Sequence, residues 1–279
     1  MIHHPSELIK SIRNHLVKHN FLVSGNTISW KYTSDFYQCD SQLPIQMAPK
    51  LTSKHIKLPP FSATRVCLET QALSHTVVAG ISTYYVALGQ LPDEAIHTAE
   101  FVEAVDGLFD CFNSQNLREN NPLSLCHPIS DSSQSSQWSH LSRCVNLLQI
   151  LHVTDSTSAL LCVKGWLTNI NALQMLWSLL KFEYNLTFLL TSRLNQDSLE
   201  NLFSIIRGRG GQRDNPDHVH FQAAFKQVIV QNMFKPATSP HCKPADDSDC
   251  ELNVDDFTVS TAVLVTKQNS SLQNASAGR

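Results

Sequence analysis

Apolar side chains recur at helical spacing through most of this chain, and that period constrains its fold more than any single motif. Trp166, Leu173, Leu176, Trp177 and Leu180 are separated by three, four or seven residues, which stripes one face of an α-helix. So leucine- and tryptophan-rich a run, over 165–182, reads as a well-buried helix. Leu8, Ile9, Ile12 and Leu16 stripe a helix over 6–19, with Lys10, Arg13 and Lys18 on a solvated basic face. Val66, Leu73, Val77, Val78 and Ile81 predict one long helical region from about 63 to 87. Pro92-Asp93-Glu94 opens another, since proline and acids suit a helix's first turn. It runs through Ala95, Ala99, Val102, Val105, Phe109 and Phe112 and stops near Asn113-Ser114. A further helix is expected over 140–152. Strand signals are sparse: Thr27 to Tyr32 reads as a short strand or a helix entry after the Ser24-Gly25-Asn26 turn. Leu186, Phe188, Leu189 and Leu190 read as a short buried strand. Residues 38–62, with Pro44, Pro49, Pro59 and Pro60, read as irregular, and serine-rich 114–139 reads as a loop. The expected class is mainly α with some β.

The 279 residues allow two domains or one with a large insertion, and 42% hydrophobic content supplies a sizeable core. A formal net charge of -3 gives no overall basic signature for nucleic acid, so any DNA contact must use local patches. No apolar run is long enough for a membrane span, and Met1-Ile2-His3-His4-Pro5 does not open like a signal peptide. The eight cysteines form no CxxC pair; they read as reduced, buried thiols of an intracellular protein, and their spacing argues against zinc. The thirteen histidines form no HExxH.

Three stretches carry candidate chemistry. Asp197 and Glu200 sit three apart at the start of a helix marked by Leu199, Leu202, Phe203 and Ile206, so both carboxylates can face one cation. Such pairs are common on solvated helices, and the spacing alone is a weak signal. Arg207 to Arg213 offers arginines and glycines suited to phosphate, or simply a flexible helix connection, before Asn215-Pro216 as an N-cap and first helical residue. Asp110 with Asn113 can read a purine edge, because a carboxylate accepts from ring N–H and amino groups; alone, such a pair more often serves a helix end. No GxxxxGK[ST] phosphate loop is present, which argues against a small helical GTPase.

From about residue 5 to 235 the sequence resembles the transposases of the P-element family, including their THAP-domain vertebrate relatives. The motifs that carry this are Leu8-Ile9-Lys10-Ser11-Ile12-Arg13-Asn14, Ile28-Ser29-Trp30, and Pro49-Lys50-Leu51-Thr52 with His55-Ile56. Arg65-Val66 with Gln71-Ala72-Leu73-Ser74 and Leu108-Phe109-Asp110 with Asn113-Ser114 follow in order. The most specific is Leu190-Thr191-Ser192-Arg193-Leu194-Asn195-Gln196-Asp197-Ser198-Leu199-Glu200-Asn201. Gly210-Gly211, Asp214-Asn215-Pro216, Phe221 and Ala224-Phe225 extend it.

The resemblance implies a helical GTP-binding insertion domain interrupting an RNase H-like α/β domain, incomplete here. It assigns 1–23 to a remnant of the RNase H-like domain, 24–188 to the insertion, 189–235 to the C-terminal part of the RNase H-like domain, and 236–279 to an acidic, disordered tail. In the family, GTP is a structural cofactor that positions transposon DNA, and a D-D-E triad binds magnesium for DNA cleavage and strand transfer in the nucleus. Glu200 matches the last acid of that triad and its metal ligand. Lys50, Arg65 (where the family commonly has lysine), Val66, Ser74, Asp110, Asn113 and Asp197 match nucleotide-contacting positions, with Asp110 and Asn113 reading the base. The first catalytic aspartate is expected upstream of residue 1. The second is expected where His4 stands, or His3 in a register shifted by one. The expectation is therefore a truncated transposase whose parent chemistry, GTP- and magnesium-dependent, is lost in this chain. Its partners would be transposon-end DNA or full-length transposase copies, and no membrane. The alternative is a domesticated, non-catalytic protein that keeps guanine-nucleotide, DNA or partner binding.

Overall fold

A computed structural model describes residues 2–57, 66–116, 125–130, 134–154, 160–209, 215 and 217–234. The chain divides after Asn195 into two compact units.

The first unit is a helical body built on α1 (Pro5–Lys18), α6 (Ala95–Cys111) and α8 (Leu161–Tyr184). Between them in sequence lie β1 (Phe21–Val23), β2 (Asn26–Ile28), α2 (Trp30–Asp40), α3 (Ser53–Ile56), α4 (Val66–Ala72) and α5 (His75–Val86). β3 (Ile129–Ser130), α7 (Gln134–Ile150), β4 (His152–Val153) and β5 (Phe188–Leu189) complete it, with a 3-10 turn at Thr191–Leu194. α6 packs against α5, α7, α2, α1 and β2, and α8 lies against α1 and α7. Their apolar stripes meet in one core that includes Ile9, Ile12, Leu16, Phe21, Phe101, Leu108, Trp166, Ile170 and Leu173. Burying each such side chain stabilises the fold by about 1.5–3 kcal/mol.

The small sheet runs β2-β1-β4, antiparallel throughout, with Phe21 opposite Ile28 on one side and Val153 on the other. Its hairpin turns on Ser24 and Gly25, both at positive φ (51° and 85°), the pairing a two-residue hairpin with right-handed strand twist requires. β3 pairs with β5, Ile129 opposite Leu189. Buried Asn169, on α8, fixes the N-terminal segment: its Oδ1 accepts from the His3 N–H at 2.7 Å and its amide donates to the His3 carbonyl at 2.8 Å.

The structure corrects several expectations. The long helix over 63–87 is two helices, because Ser74 turns extended (φ -110°, ψ 156°) and its carbonyl takes the Val77 and Val78 N–H groups. The serine-rich loop ends early: α7 begins at Gln134, and the Gln137 amide donates to the carbonyls of Leu125 and His127 (2.9 and 2.7 Å). His152, expected to close that helix, is instead the start of a strand, His152–Val153. Thr27 to Tyr32 is both readings in turn, a strand and then a helix entry, with Ser29 Oγ accepting from the Lys31 N–H at 3.3 Å. The irregular stretch after α2 is folded around buried Asp40, which accepts from the N–H groups of Met47 and Ala48 (2.9 and 3.1 Å). Arg13 is 1% exposed rather than solvated. It lies four residues after Ile9 and three before Leu16, inside the buried stripe, and burial lowers its pKa to about 10. The run at 186–190 is a two-residue strand whose Phe188 is 41% exposed.

The second unit is an α-hairpin of α9 (Asp197–Arg209) and α10 (His218–Phe234). Ile206, Ala224 and Val228 form its core, with Leu202, Ile205 and Phe221 around them. Asp217, not Asn215, caps α10: its carboxylate accepts from the N–H groups of Val219 and His220 (3.0 and 2.9 Å). The acidic tail over 236–279 lies outside the described residues.

Candidate functional site

A cleft of about 400 Å³ opens at the head of α5, lined by Ala48, Pro49, Lys50, Leu51, Thr70, Gln71, Ser74, Thr76 and Val77. Three short elements make it. Pro49 and the Thr52 helix start flank the exposed Lys50, which lines the cleft. The end of α4 supplies Thr70 and Gln71. The extended Ser74 then opens α5 at the cleft wall, with Thr76 and Val77 lining it. A helix N-terminus beside a lysine is a setting for phosphate.

Hydrogen bonds fix the walls. The Thr52 N–H donates to Nδ1 of His55 at 2.9 Å, and Nε2 of this buried ring lies 3.0 Å from Oε1 of Gln71. Ser74 Oγ donates to the Gln71 carbonyl at 2.9 Å. Because Ser74 commits its hydroxyl there, it makes no side-chain cap bond to α5.

On α6, Asp106 accepts a hydrogen bond from the backbone N–H of His75, the first residue of α5. Burial, the neighbouring Asp110 and Glu103 together raise its carboxyl pKa to about 7 against the lowering effect of that N–H. Asp110 lies one turn further along α6, about 6 Å along the axis at 1.5 Å per residue. Asn113 follows where α6 ends, its N–H on the Asp110 carbonyl (3.1 Å) and its carbonyl accepting from the Cys126 thiol (3.2 Å). The next residue forms a buried clamp. The Ser114 N–H donates to Thr191 Oγ1 (3.0 Å), the Thr191 N–H donates to Ser114 Oγ (2.9 Å), and the two hydroxyls lie 2.9 Å apart. The 3-10 turn 77 residues downstream is thereby tied to the end of α6.

Of the sequence candidates, the structure puts Lys50 and Ser74 on one cleft. Asp110 and Asn113 sit at the end of the helix whose Asp106 touches the start of α5, and neither lines the cleft. Arg65 lies outside the described residues, as does the side chain of Val66, whose backbone begins α4. In the second unit, half-buried Asp197 and exposed Glu200 occupy the first turn of α9, where acids complement the helix dipole without any ligand. The Leu199 and Glu200 N–H groups bond to the Gln196 carbonyl. Arg207 is exposed, Arg209 donates to Gln231 of α10, and Arg213 lies outside the described residues. At Arg209, then, the basic turn serves helix packing.

Sequence reasoning missed His55, Gln71 and Asp106 as site residues. His55 and Gln71 stood inside the motifs quoted above, but their contact spans sixteen residues and follows no local period. Asp106 had a visible signal, an acid four residues before Asp110 on a predicted helix.

Residues 6–124 match the family described as TNP-like, GTP-binding insertion domain, and residues 192–226 match TNP-like, RNase H C-terminal domain. The Transposable element P transposase of Drosophila melanogaster is 28% identical over 249 residues, which cover 89% of this chain and 32% of that protein. The solved Drosophila P element transposase strand transfer complex superposes with a TM-score of 0.75 at 28% identity, covering 82% of this chain and 51% of that one. The chain thus spans about a third of the curated relative's length and half of the solved chain. Both expected folds, the helical insertion and the C-terminal RNase H-like part, are present.

Proposed function

Because the chain belongs to the P-element-type transposase family, we propose that it binds a guanine nucleotide in the cleft at the head of α5 and performs no strand transfer by itself. The observation that carries this reading is the convergence of Lys50, Ser74 and the α5 N-terminus on one cleft, inside the stretch that matches a GTP-binding domain. The cleft's volume lies in the range of small-molecule sites, and its cation and backbone donors suit phosphate.

In this reading Lys50 and the first turn of α5 hold phosphate oxygens. Arg65, Val66 and Ser74 complete the phosphate and ribose surroundings. Asp110 accepts from the guanine ring N–H and amino group, and the Asn113 amide supplies the complementary polar contact. GTP, once bound, supplies a rigid polyanion that orders the insertion for DNA. Residues 24–188 then act as the nucleotide module, and 1–23 and 189–235 as parts of the RNase H-like domain.

Magnesium fits less well. Glu200 offers one hard oxygen ligand, but His4 or His3 stands where the family pattern has its second acid. Imidazole suits transition metals and zinc rather than magnesium. Transposon-end DNA, other transposase copies as partners and a nuclear location complete the proposal. They rest on the relatives alone; among the described residues no helix is long and apolar enough to cross a membrane.

Calorimetric titration of the purified 279-residue chain with GTP tests the reading. Micromolar binding that falls at least about ten-fold in both Lys50→Ala and Asp110→Ala, about 1.4 kcal/mol, is expected. Absence of binding, or binding indifferent to both substitutions, overturns it. Cleavage of transposon-end DNA by the chain alone would overturn the non-catalytic part.

A further inference from the structure

We propose that Gln71 is a hydrogen-bond donor to the nucleotide's phosphate chain, set in orientation by His55. This deepens the nucleotide reading above and rests on it.

Geometry fixes the proton on His55. The Thr52 backbone N–H can only donate, and it points at Nδ1 from 2.9 Å. The Thr52 carbonyl also lies near Nδ1, but at a longer 3.3 Å; the shorter N–H contact makes Nδ1 the acceptor and puts the hydrogen of this 3%-exposed ring on Nε2. Nε2–H then donates to Gln71 across 3.0 Å, so the atom facing His55 is the amide oxygen. The Gln71 NH₂ group is turned the other way. The main chain of the same residue is pinned as well, its carbonyl accepting from Ser74 Oγ at 2.9 Å. Gln71 is thus held at both ends, and it lines the cleft beside Lys50 and Ser74.

A glutamine that merely closed a helix end would not need a buried histidine to select which face of its amide is presented. Gln71 lines a cleft that already has Lys50, so the selection turns the amide's two neutral N–H donors away from His55 and makes them available to a ligand there. That combination favours an anion with several oxygens over an apolar or cationic ligand. The neutral donors add direction to the charge that Lys50 contributes, since an ammonium holds phosphate as a point charge without fixed geometry.

The test compares GTP with guanosine on the full chain, reading affinity by displacement of a fluorescent GTP analogue. Gln71→Glu keeps the acceptor for His55 and removes both donors; Gln71→Met keeps the shape with neither. Both are expected to weaken GTP about ten-fold or more while leaving guanosine within about two-fold. His55→Ala, which frees the amide to rotate, is expected to weaken GTP by a smaller factor and guanosine not at all. Equal losses for GTP and guanosine would assign Gln71 a structural role and overturn the proposal. So would unchanged GTP affinity in Gln71→Met when wild type binds, even if Gln71→Glu fails to fold. If wild type itself does not bind GTP, the parent reading falls with it; if wild type binds and only Gln71 is silent, the parent reading stands.

Discussion

The stability of the first unit should fall as pH rises from about 4 to about 7, and Asp106→Asn should remove that fall. Asp106 starts from an ordinary carboxyl pKa of 3.8 in the unfolded chain and reaches about 7 when folded, chiefly through burial and then through Asp110. A folded state that holds its proton more tightly than the unfolded state loses stability as pH climbs between the two values. The contribution is fully present below about 4 and gone above about 7. At about 1.4 kcal/mol per pKa step, the whole excursion is worth at most about 4 kcal/mol. Solvent reaching this half-buried carboxyl brings it to about 2 kcal/mol. The substituted amide would keep an acceptor for the His75 N–H and carry no charge to desolvate. Urea denaturation at pH 5 and pH 8, wild type against Asp106→Asn, reads the difference. The variant should gain about 2 kcal/mol relative to wild type at pH 8, and clearly less at pH 5. Parallel pH profiles for the two proteins would refute the reasoning, because they would show that Asp106 ionises as freely in the fold as outside it.

Asp110→Asn should weaken GTP about ten-fold or more and shift preference toward xanthosine triphosphate, whose C2 carbonyl accepts where guanine's amino group donates; unchanged GTP affinity would count against Asp110 as base reader. Gly80→Ala places a methyl 2.3 Å from Cζ of Phe36, a ring already packed edge-on to Tyr84, and should lower the urea midpoint. Overpacking costs about 1–3 kcal/mol, less the roughly 1 kcal/mol that alanine gains over glycine in a helix. Asn169→Leu removes both bonds to His3 and should cost about 1–3 kcal/mol, with faster amide exchange at His3 by NMR. Thr191→Val strips the shared hydroxyl from the clamp with Ser114 and should cost about 1–3 kcal/mol, read as a lower Tm; an unchanged Tm would mean the clamp is not stabilising.

What the sequence revealed and what it hid divide along the range of the interactions. Leu8, Ile12 and Leu16, or Leu173 and Trp177, announce their helices because the 3.6-residue period is local and repeats. The break at Ser74 is hidden because the apolar positions continue through it. One hydroxyl bonding back to Gln71 decides the break, and no hydrophobic pattern records it. Arg13 misleads for a related reason: charge suggests solvent, yet α1 is covered by α4, α6 and α8, so the stripe is wider than a surface helix would show. Of the candidate site residues, Lys50 and Ser74 are legible by motif, and the fold brings them to one cleft. Neither period nor motif could show the Thr52–His55–Gln71 chain, which joins the start of α3 to the end of α4 sixteen residues on.

α6 explains why the pieces of the candidate site lie near one another despite wide sequence separation. Its buried face, through Ala95, Ala99, Val102, Val105 and Leu108, locks it into the core and against α5. The other side, at Asp106, then meets the first N–H of α5, and the next turn carries Asp110. Ser114 at its end binds Thr191. A single helix thus sets the start of α5, Asp110 and the anchored Thr191. Loosening α6 at its core, for instance by Leu108→Ala at about 2–5 kcal/mol, should therefore weaken GTP binding in proportion to stability. Substitutions at Asp110 should weaken it without a loss of stability. Titration and denaturation on the same two variants separate the cases. GTP affinity that survived a large loss of α6 packing would break the link between this helix and the site.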